Sequence, residues 1–213
     1  MENINIKNIL VAIGAIITTF IFLFFVYKLT NAPVQTLFPE IDKIRASDHV
    51  KWKLNSKNIL VEYSDFECPA CRDRHNFLNE FEKTATPNAT LVLKNFPLFQ
   101  VHPLAEKAAY AAEAAGLQNK YWEMSDLLFN NQDSWSTLGD PTNYFIDLAK
   151  KLNLDINKFK TDSNSQIVKD KVDADLTEGN KIGINATPTF FLNGQKLDNI
   201  TSLDQFTKLL KSL

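Results

Sequence analysis

The chain has 213 residues, of which 45% are hydrophobic and 11% aromatic, and its formal net charge is −2 at pH 7. A chain of this size and composition can bury one substantial core, so one soluble domain is the default expectation. No basic run extends beyond a few residues, and the sequence therefore lacks the positive patch with which proteins bind nucleic acids. We expect no nucleic-acid partner.

The N-terminal region, residues 1–29, differs in kind from the rest of the chain. Residues 9–27 carry no charge and are interrupted only by one glycine and two threonines. As a helix that rises about 1.5 Å per residue, they would span roughly 28 Å, close to the ~30 Å hydrocarbon thickness of a bilayer. This pattern predicts a membrane anchor. The alternative is a cleaved signal peptide, but Pro33 would follow the candidate cleavage site after Ala32 and would hinder cutting.

The next segments predict a linker and then a strand–helix–strand unit. Residues 30–49 contain two prolines and little periodicity, which predicts a linker, and we expect the folded domain over residues 50–213. Runs of β-branched and aromatic residues at positions 58–63 and 90–96 predict two strands. Residues 68–83 have apolar side chains at helical spacing, so a helix is expected to connect these strands.

The second half of the chain predicts several helices followed by a hairpin. Amphipathic patterns extend from residue 103 to residue 182 and are broken near Gly116. Residues 187–197 are typical of two strands joined by an Asn-Gly turn, and residues 202–213 begin with the spacing of a capping box. The order predicts an α/β fold with a four-stranded mixed sheet and a helical insertion over about residues 100–182.

Cys68 and Cys71 are the only cysteines, and they flank the predicted start of a helix. A disulfide that closes so short a loop removes only about 2 kcal/mol of unfolded-state entropy, which argues against a purely structural bond. A structural zinc site needs four ligands, and His49, His75 and His102 would have to converge by chance to supply them. Redox chemistry is the remaining interpretation, because free backbone N–H groups at a helix start stabilise a thiolate.

The surroundings of the two cysteines add little to this interpretation. Acidic residues outnumber basic ones near the pair, so we expect any lowering of the Cys68 pKa to come mainly from the helix end. We expect the lone histidines to be surface or capping residues. The sequence does not fix the redox potential.

Several stretches together resemble one known family. SDFECPACRDRH, NKYWEMSDLLF and TPTFFLNGQKL are similar to the DsbA-like thiol:disulfide oxidoreductases of the thioredoxin superfamily, in the membrane-anchored form found in Gram-positive bacteria. The resemblance extends over about residues 50–213. It implies a thioredoxin-like fold, and an enzyme that needs no cofactor beyond its own redox-active disulfide between Cys68 and Cys71.

The resemblance also assigns roles to individual residues. It implies that Cys68 is the exposed nucleophile, that Cys71 is the buried resolving thiol and that Pro188 is a cis-proline lying against the disulfide. It implies substrate-binding positions at Pro69, Ala70 and Thr187.

Two charged residues are assigned in the same way. Glu62 matches the buried acid found beneath the disulfide in this family, and Lys94 on the next strand is its candidate charge partner. The alternative for Glu62 and Lys94 is a pair of solvated charges at a strand edge.

The function that the resemblance implies is the formation of disulfides in reduced exported proteins by a membrane-tethered enzyme. The domain would lie on the extracytoplasmic side, since disulfides persist in oxidising compartments. A quinone-linked membrane oxidase of the DsbB or VKOR type would reoxidise it. The sequence leaves open a reductase or isomerase on the same fold and, from a different class, a non-catalytic membrane-tethered interaction or metal-binding module.

Overall fold

The computed structural model describes residues 6–30, 37–85, 87–198 and 202–213. The chain divides into an N-terminal unit and a folded unit that begins at Leu37 and ends at Leu213. The described part of the N-terminal unit is a single helix, α1 (Ile6–Thr30).

The helix α1 contains a stretch, Leu10–Lys28, that is long and apolar enough to cross a membrane, and none of this stretch is buried. The hydroxyl groups of Thr18 and Thr19 donate hydrogen bonds to the carbonyl oxygen of Ala15, at 2.9 and 2.8 Å. The two polar side chains that interrupt the apolar run are therefore satisfied within the helix, as a lipid environment requires.

The folded unit is built on a mixed sheet with the strand order β1-β3-β2-β4-β5. The strands are β1 (His49–Trp52), β2 (Ile59–Ser64), β3 (Thr90–Asn95), β4 (Thr189–Leu192) and β5 (Gln195–Lys196). The helices are α2 (Pro69–Thr84), α3 (Ala105–Gly116), α4 (Tyr121–Asn130), α5 (Gln132–Trp135), α6 (Thr142–Lys151), α7 (Ile156–Asp162), α8 (Gln166–Lys181) and α9 (Leu203–Ser212). β2 and β3 are parallel, and the other neighbouring strands are antiparallel.

The sheet has five strands, so the prediction of four strands is wrong. The additional strand, β1, pairs antiparallel with β3 and places Val50 opposite Val92. It has only four residues, all half-buried. A strand this short shows too little alternation to be recognised in a sequence.

The linker predicted over residues 30–49 is also too long. Residues 31–36 lie outside the described residues, but the chain is part of the folded unit from Leu37 onward. Phe38 donates a backbone hydrogen bond of 2.7 Å to Gly194, and the side chain of Ile41 is buried. Single anchoring side chains such as Ile41 produce no periodic pattern, which is why the sequence indicated a linker.

The two faces of the sheet are covered by different elements, and β2 alternates between them. Leu60 packs with Leu78 of α2 and Phe206 of α9. Val61 and Tyr63 belong to the cluster on the opposite face. Glu62 lies between Val61 and Tyr63 and therefore faces the same side as Leu60, which is the side of α2.

The remaining elements follow the predicted order. Helices α3 to α8 lie between β3 and β4, and α3 ends at Gly116, where the helical pattern breaks. The turn between β4 and β5 has positive φ at Asn193 and Gly194, 50° and 74°. The capping box of Ser202 and Gln205 at the start of α9 is present.

We predict that Gly179→Ala destabilises the folded unit. A Cβ atom at this position on α8 would lie 2.6 Å from two ring atoms of Phe96. Overpacking of this kind costs about 1–3 kcal/mol, which exceeds the gain of up to about 1 kcal/mol in helix propensity. Urea denaturation of the full chain in detergent micelles would measure the loss. Gly139→Ala is the control, since its Cβ would meet nothing within 4 Å and should change the free energy of unfolding by less than about 0.5 kcal/mol.

Candidate active site

Cys68 and Cys71 lie at the N-terminus of α2, directly after β2. Cys68 is the N-cap residue, with an extended backbone conformation, and Pro69 occupies the first helical position. Proline suits this position because its missing N–H would have no partner there. Cys68 is 8% exposed and Cys71 is 0% exposed, while Pro69 and Ala70 are exposed. One thiol therefore lies just beneath the surface and the other is fully buried.

The segment before β4 packs against the first thiol. The Thr187–Pro188 peptide bond is cis, as predicted. The carbonyl oxygen of Thr187 lies 3.5 Å from the Sγ atom of Cys68. Thr187 and Pro188 are thus placed, together with the exposed Pro69 and Ala70, around the thiol that a partner would reach first.

The environment of Cys68 stabilises its thiolate. A hydrogen bond from the Cys71 thiol, together with the backbone N–H groups of Cys71 and Ala70, lowers the pKa of Cys68 to about 5 despite its partial burial. The sequence indicated the helix end as the main cause. The N–H groups of the first turn do contribute, but the neighbouring thiol contributes more.

Cys71 is held in the opposite protonation state. Its burial raises the pKa of the thiol well above the usual value, and the nearby charges of Cys68 and Glu62 raise it further. The backbone N–H of Asp65 lies 3.5 Å from its Sγ atom. The two thiols of one helical turn therefore differ strongly in acidity.

Glu62 lies on the α2 face of β2 and is 1% exposed. Burial raises the pKa of its carboxyl group to about 7, against the lowering effects of Ser64 and of the positive charge of Arg74. Its Oε1 atom has no hydrogen-bond partner among the described residues. A buried carboxyl group that titrates near neutral pH and raises the pKa of Cys71 is suited to exchange a proton with that thiol.

Lys94 is not the charge partner of Glu62, contrary to our expectation. Its Nζ atom binds both carboxylate oxygens of Glu178 on α8, each at 2.8 Å, and lies over the ring of Tyr63. Lys94 is paired with Tyr63 in the sheet, whereas Glu62 is paired with Leu93. Since neighbouring positions of a strand point to opposite faces, the sheet separates Lys94 from Glu62.

Asp65 and Gln132, which the sequence did not single out, hold the site in place. Both carboxylate oxygens of Asp65 accept hydrogen bonds, from the backbone N–H groups of Glu67 and Leu98 and from Nδ1 of His102. On α5, the buried amide of Gln132 donates to the carbonyl oxygens of Phe66 and Cys68, at 2.8 and 3.0 Å. Gln132 stands between Asn131 and Asp133, so no local pattern in the sequence indicates its burial.

The expectation that the lone histidines lie at the surface or at caps is wrong for His75. Its side chain is buried, and Nε2 lies 2.6 Å from a carboxylate oxygen of Asp126. His102 instead pairs with Asp65 beside the thiols. Among the described residues, no group of three or more histidine, cysteine, aspartate and glutamate side chains is arranged to hold a metal ion.

Comparison with known proteins establishes the family. The family model described as Thioredoxin matches residues 46–212, and the chain belongs to this family. Its fold is thioredoxin-like, with a mixed five-stranded sheet and an inserted group of helices. The candidate site within this fold is a pair of cysteines at the start of α2, with the cis Thr187–Pro188 segment lying against the first of them.

Individual relatives are similar over different spans. The Wolbachia pipientis protein α-DsbA1 superposes with a TM-score of 0.70 at 24% identity, covering 82% of this chain and 94% of that one. Oxidised BdbD from Bacillus subtilis gives a TM-score of 0.69 at 20% identity and covers 85% and 98%. The Na(+)/H(+) antiporter NhaA 1 of Mycolicibacterium vanbaalenii is 38% identical over 151 residues, which are 69% of this chain and 23% of the antiporter. The chain thus spans about a quarter of the length of the curated relatives it matches.

We predict that the two thiols of the reduced protein react with iodoacetamide in very different pH ranges. Alkylation of Cys68 should have its midpoint near pH 5, because its thiolate is stabilised there. Mass spectrometry of the full chain, sampled over time between pH 4 and pH 10, would measure the profile. In Cys68→Ser, the remaining thiol should stay unreactive at neutral pH. A midpoint near the ordinary thiol value for Cys68 would contradict this account.

We also predict a pH-dependent stabilisation by Glu62→Gln. A carboxyl group whose pKa is raised from 4.5 to about 7 on folding contributes stability below pH 4.5, and this contribution is lost as the pH rises through 7. The variant should therefore gain about 3 kcal/mol over the native chain between pH 4.5 and pH 8. Urea denaturation of both reduced proteins would measure the difference. Glu80→Gln, an exposed carboxyl on α2, sets the baseline, and a pH-independent effect of Glu62→Gln would argue against the raised pKa.

Proposed function

We propose that this chain is a membrane-tethered extracytoplasmic enzyme that introduces disulfides into reduced exported proteins. The observation that carries the proposal is the contrast between its two thiols. Cys68 is stabilised as a thiolate at the rim of the site, and Cys71 is buried as a neutral thiol. A dithiol with this asymmetry gains stability when reduced and accordingly acts as an oxidant of other thiols.

The first step begins with the enzyme in its disulfide form. A client thiolate attacks Sγ of Cys68, the bond between Cys68 and Cys71 breaks, and a mixed disulfide forms between the client and Cys68. Cys71 leaves as a thiolate in a buried site where the charged form is unfavourable. The protonated carboxyl group of Glu62 supplies the proton that neutralises it.

The second step releases the product. A second client thiolate attacks the client sulfur of the mixed disulfide, the client disulfide forms, and Cys68 leaves as a thiolate. Its low pKa makes it a good leaving group. Two electrons have passed from the client to the enzyme, which ends as the dithiol with Glu62 ionised.

Substrate contact is proposed for the exposed residues around Cys68. Pro69 and Ala70 are exposed beside it, and the Thr187–Pro188 segment lies against it. An extended client segment that lies along Thr187 could bring its own cysteine to Cys68 without moving Cys71.

The proposed location follows from α1 and from the chemistry. The stretch Leu10–Lys28 supports a single-pass anchor, and disulfide formation requires a compartment that keeps disulfides oxidised. Each turnover leaves a dithiol, so the enzyme needs an acceptor for two electrons. We propose a quinone-linked membrane oxidase of the DsbB or VKOR type as that acceptor.

We predict that the redox potential of the full chain in detergent micelles is more oxidising than about −200 mV, because the Cys68 thiolate stabilises the reduced form. Equilibration with glutathione buffers, followed by acid quenching and thiol alkylation, would give the ratio of dithiol to disulfide. A potential near −270 mV, in the range of a reductase, would contradict the oxidase function.

A trapping experiment tests the proposed clients. Cys71→Ser should accumulate mixed disulfides with exported proteins through Cys68, since the resolving thiol is absent, and the double variant Cys68→Ser/Cys71→Ser should accumulate none. The double variant has no cysteine and defines the background. Recovery of no more protein from Cys71→Ser than from this background would argue against exchange at this site.

A further inference from the structure

Two charged side chains near the thiols, the buried Glu62 and the half-buried Arg74, each have one buried atom without a hydrogen-bond partner in the described part of the chain. Among the described residues, neither Oε1 of Glu62 nor Nη1 of Arg74 has a partner, and both atoms are inaccessible to solvent. An unpaired charge is costly in a protein interior. Because Glu62 and Arg74 carry opposite charges on facing elements, each can offset the cost of the other's charge.

Arg74 lies where it can act on Glu62. It is three residues after Cys71 on α2, and Glu62 faces the same helix from β2. The attraction is reciprocal: the positive charge of Arg74 favours the ionised carboxyl, and the negative charge of Glu62 favours the ionised guanidinium. The two side chains are not within hydrogen-bond distance of each other, so the interaction is between charges across a short gap.

The guanidinium group of Arg74 is held in a fixed position. It lies 5.1 Å from the ring centroid of Phe206 on α9 and 5.9 Å from that of Phe77 on α2. Stacking of this kind orients an arginine without neutralising its charge. The positive charge therefore remains available to Glu62.

The other groups around Glu62 do not supply a positive charge. Cys68 and Cys71 face it from α2, and their thiolate forms repel the carboxylate. The charge of Glu62 also reaches the phenol of Tyr121 on α4. Its strand neighbours are Leu93 on β3 and Phe190 on β4, both apolar, and Lys94 lies beyond the sheet. Ser64, on the same strand as Glu62, is the remaining polar neighbour that favours its ionised form.

A cavity lies beside Arg74, on the side of the Thr187–Pro188 segment. It has a volume of about 220 Å³, and Arg74, Phe190 and Pro188 contribute to its lining. Arg74 and Phe190 are both neighbours of Glu62. The guanidinium group of Arg74 thus lies between the buried carboxyl group of Glu62 and a solvent-filled space, and Glu62 itself does not line that space.

We infer that Arg74 is a positioning residue of the dithiol site, which holds Glu62 ready to take the proton of Cys71 by stabilising its carboxylate. The role of Arg74 in catalysis rests on the proposed function, but the charge interaction between Arg74 and Glu62 can be measured independently of that function. When the enzyme is reoxidised, the Cys71 thiol must lose a proton before it attacks Sγ of Cys68 in the mixed disulfide, which forms the Cys68–Cys71 bond and releases the other sulfur as a thiolate. Arg74 keeps the acceptor ionised in the pH range where this happens.

The experiment is an infrared titration of the full chain in detergent micelles, reduced, between pH 4 and pH 10. The carbonyl stretch of the protonated Glu62 carboxyl group is assigned by its loss in Glu62→Gln. In the native chain, this band should disappear with a midpoint near pH 7. In Arg74→Met and Arg74→Gln, we expect the midpoint to rise by about one pH unit or more, because a nearby opposite charge has been removed. Arg74→Lys, which retains the charge, should restore most of the native midpoint.

Arg72→Met is the matched control. Arg72 is also on α2, but its guanidinium group pairs at 2.7 Å with the exposed carboxylate of Asp133. Its removal takes the same charge from the same helix and should leave the midpoint in place. An unchanged midpoint in both Arg74→Met and Arg74→Gln, or an equal shift in Arg72→Met, would overturn the inference. Two charge-removing variants are used so that misfolding of one leaves the other as the test.

A kinetic measurement relates the titration to the thiols. The reaction starts from the mixed disulfide of Cys68 with glutathione, which Cys71 converts to the enzyme disulfide. Samples are quenched with acid at intervals, and mass spectrometry measures the fraction converted. The pH inflection of this rate should move upward in Arg74→Gln and should show no such move when Glu62→Gln is already present. An equal shift in the Glu62→Gln background would show that Arg74 acts on the thiols directly and would overturn the inference. If the titration of Glu62 depends on Arg74 but the enzyme does not oxidise client thiols, the proposed function would be contradicted and the inference about Arg74 would stand.

Discussion

The alternation of side chains along β2 is the constraint on which the chemistry of this molecule depends. One residue of the strand, Glu62, points to α2 and the thiols, and the next, Tyr63, points to the opposite layer. Two sets of charges are thereby kept apart by a single layer of backbone. Glu62 and Arg74 lie on the thiol side, while Lys94 and Glu178 join the sheet to α8. A shift of one residue in the strand register would exchange these sets and place a phenol beneath the cysteines.

The start of α2 turns this arrangement into a difference in acidity. The spacing of three residues places one thiol at the N-cap and the other one turn inside the helix. The outer sulfur meets the free N–H groups of the first turn, and the inner sulfur meets the apolar core of the helical insertion. Neither sulfur needs a basic side chain in contact with it. This explains how a site surrounded by more acidic than basic residues can still stabilise a thiolate.

Much of the fold and the centre of the site could be predicted from the sequence, because both depend on short-range patterns. The strand at residues 58–63, the proline at the first position of α2 and the Asn193-Gly194 turn each carry their own local signal. The position and cis bond of Pro188 came from the family resemblance. The prediction of Lys94 as a partner failed because residue spacing was used without the face of the strand.

Other features could not be predicted because they depend on long-range contacts. The segment from Leu37 to β1 is held by isolated side chains, including Arg45, which binds Asp175 on α8 130 residues later. Arg74 is a charged residue on the face of α2 that packs inward, and its partner is defined only once the sheet is placed beneath the helix. His102 and Asp65 meet only because the loop after β3 returns to the thiols.

Gln132 makes the helical insertion an integral part of the active site. Its amide nitrogen satisfies the carbonyl oxygens of Phe66 and Cys68, one before the cysteine motif and one within it. A version of this protein reduced to its sheet and the two flanking helices would lose both hydrogen bonds. The carbonyl oxygen of Cys68 would keep the backbone N–H of Arg72 as a donor, whereas that of Phe66 would lose the Gln132 donor, at a cost of about 1–3 kcal/mol if it were left buried and unpaired. The helical insertion is consequently required for the structure of the active site. The outer surface of its helices is free to diversify, whereas the short helix α5 is tied to the geometry of the first thiol, so evolutionary change in the two regions should proceed at different rates.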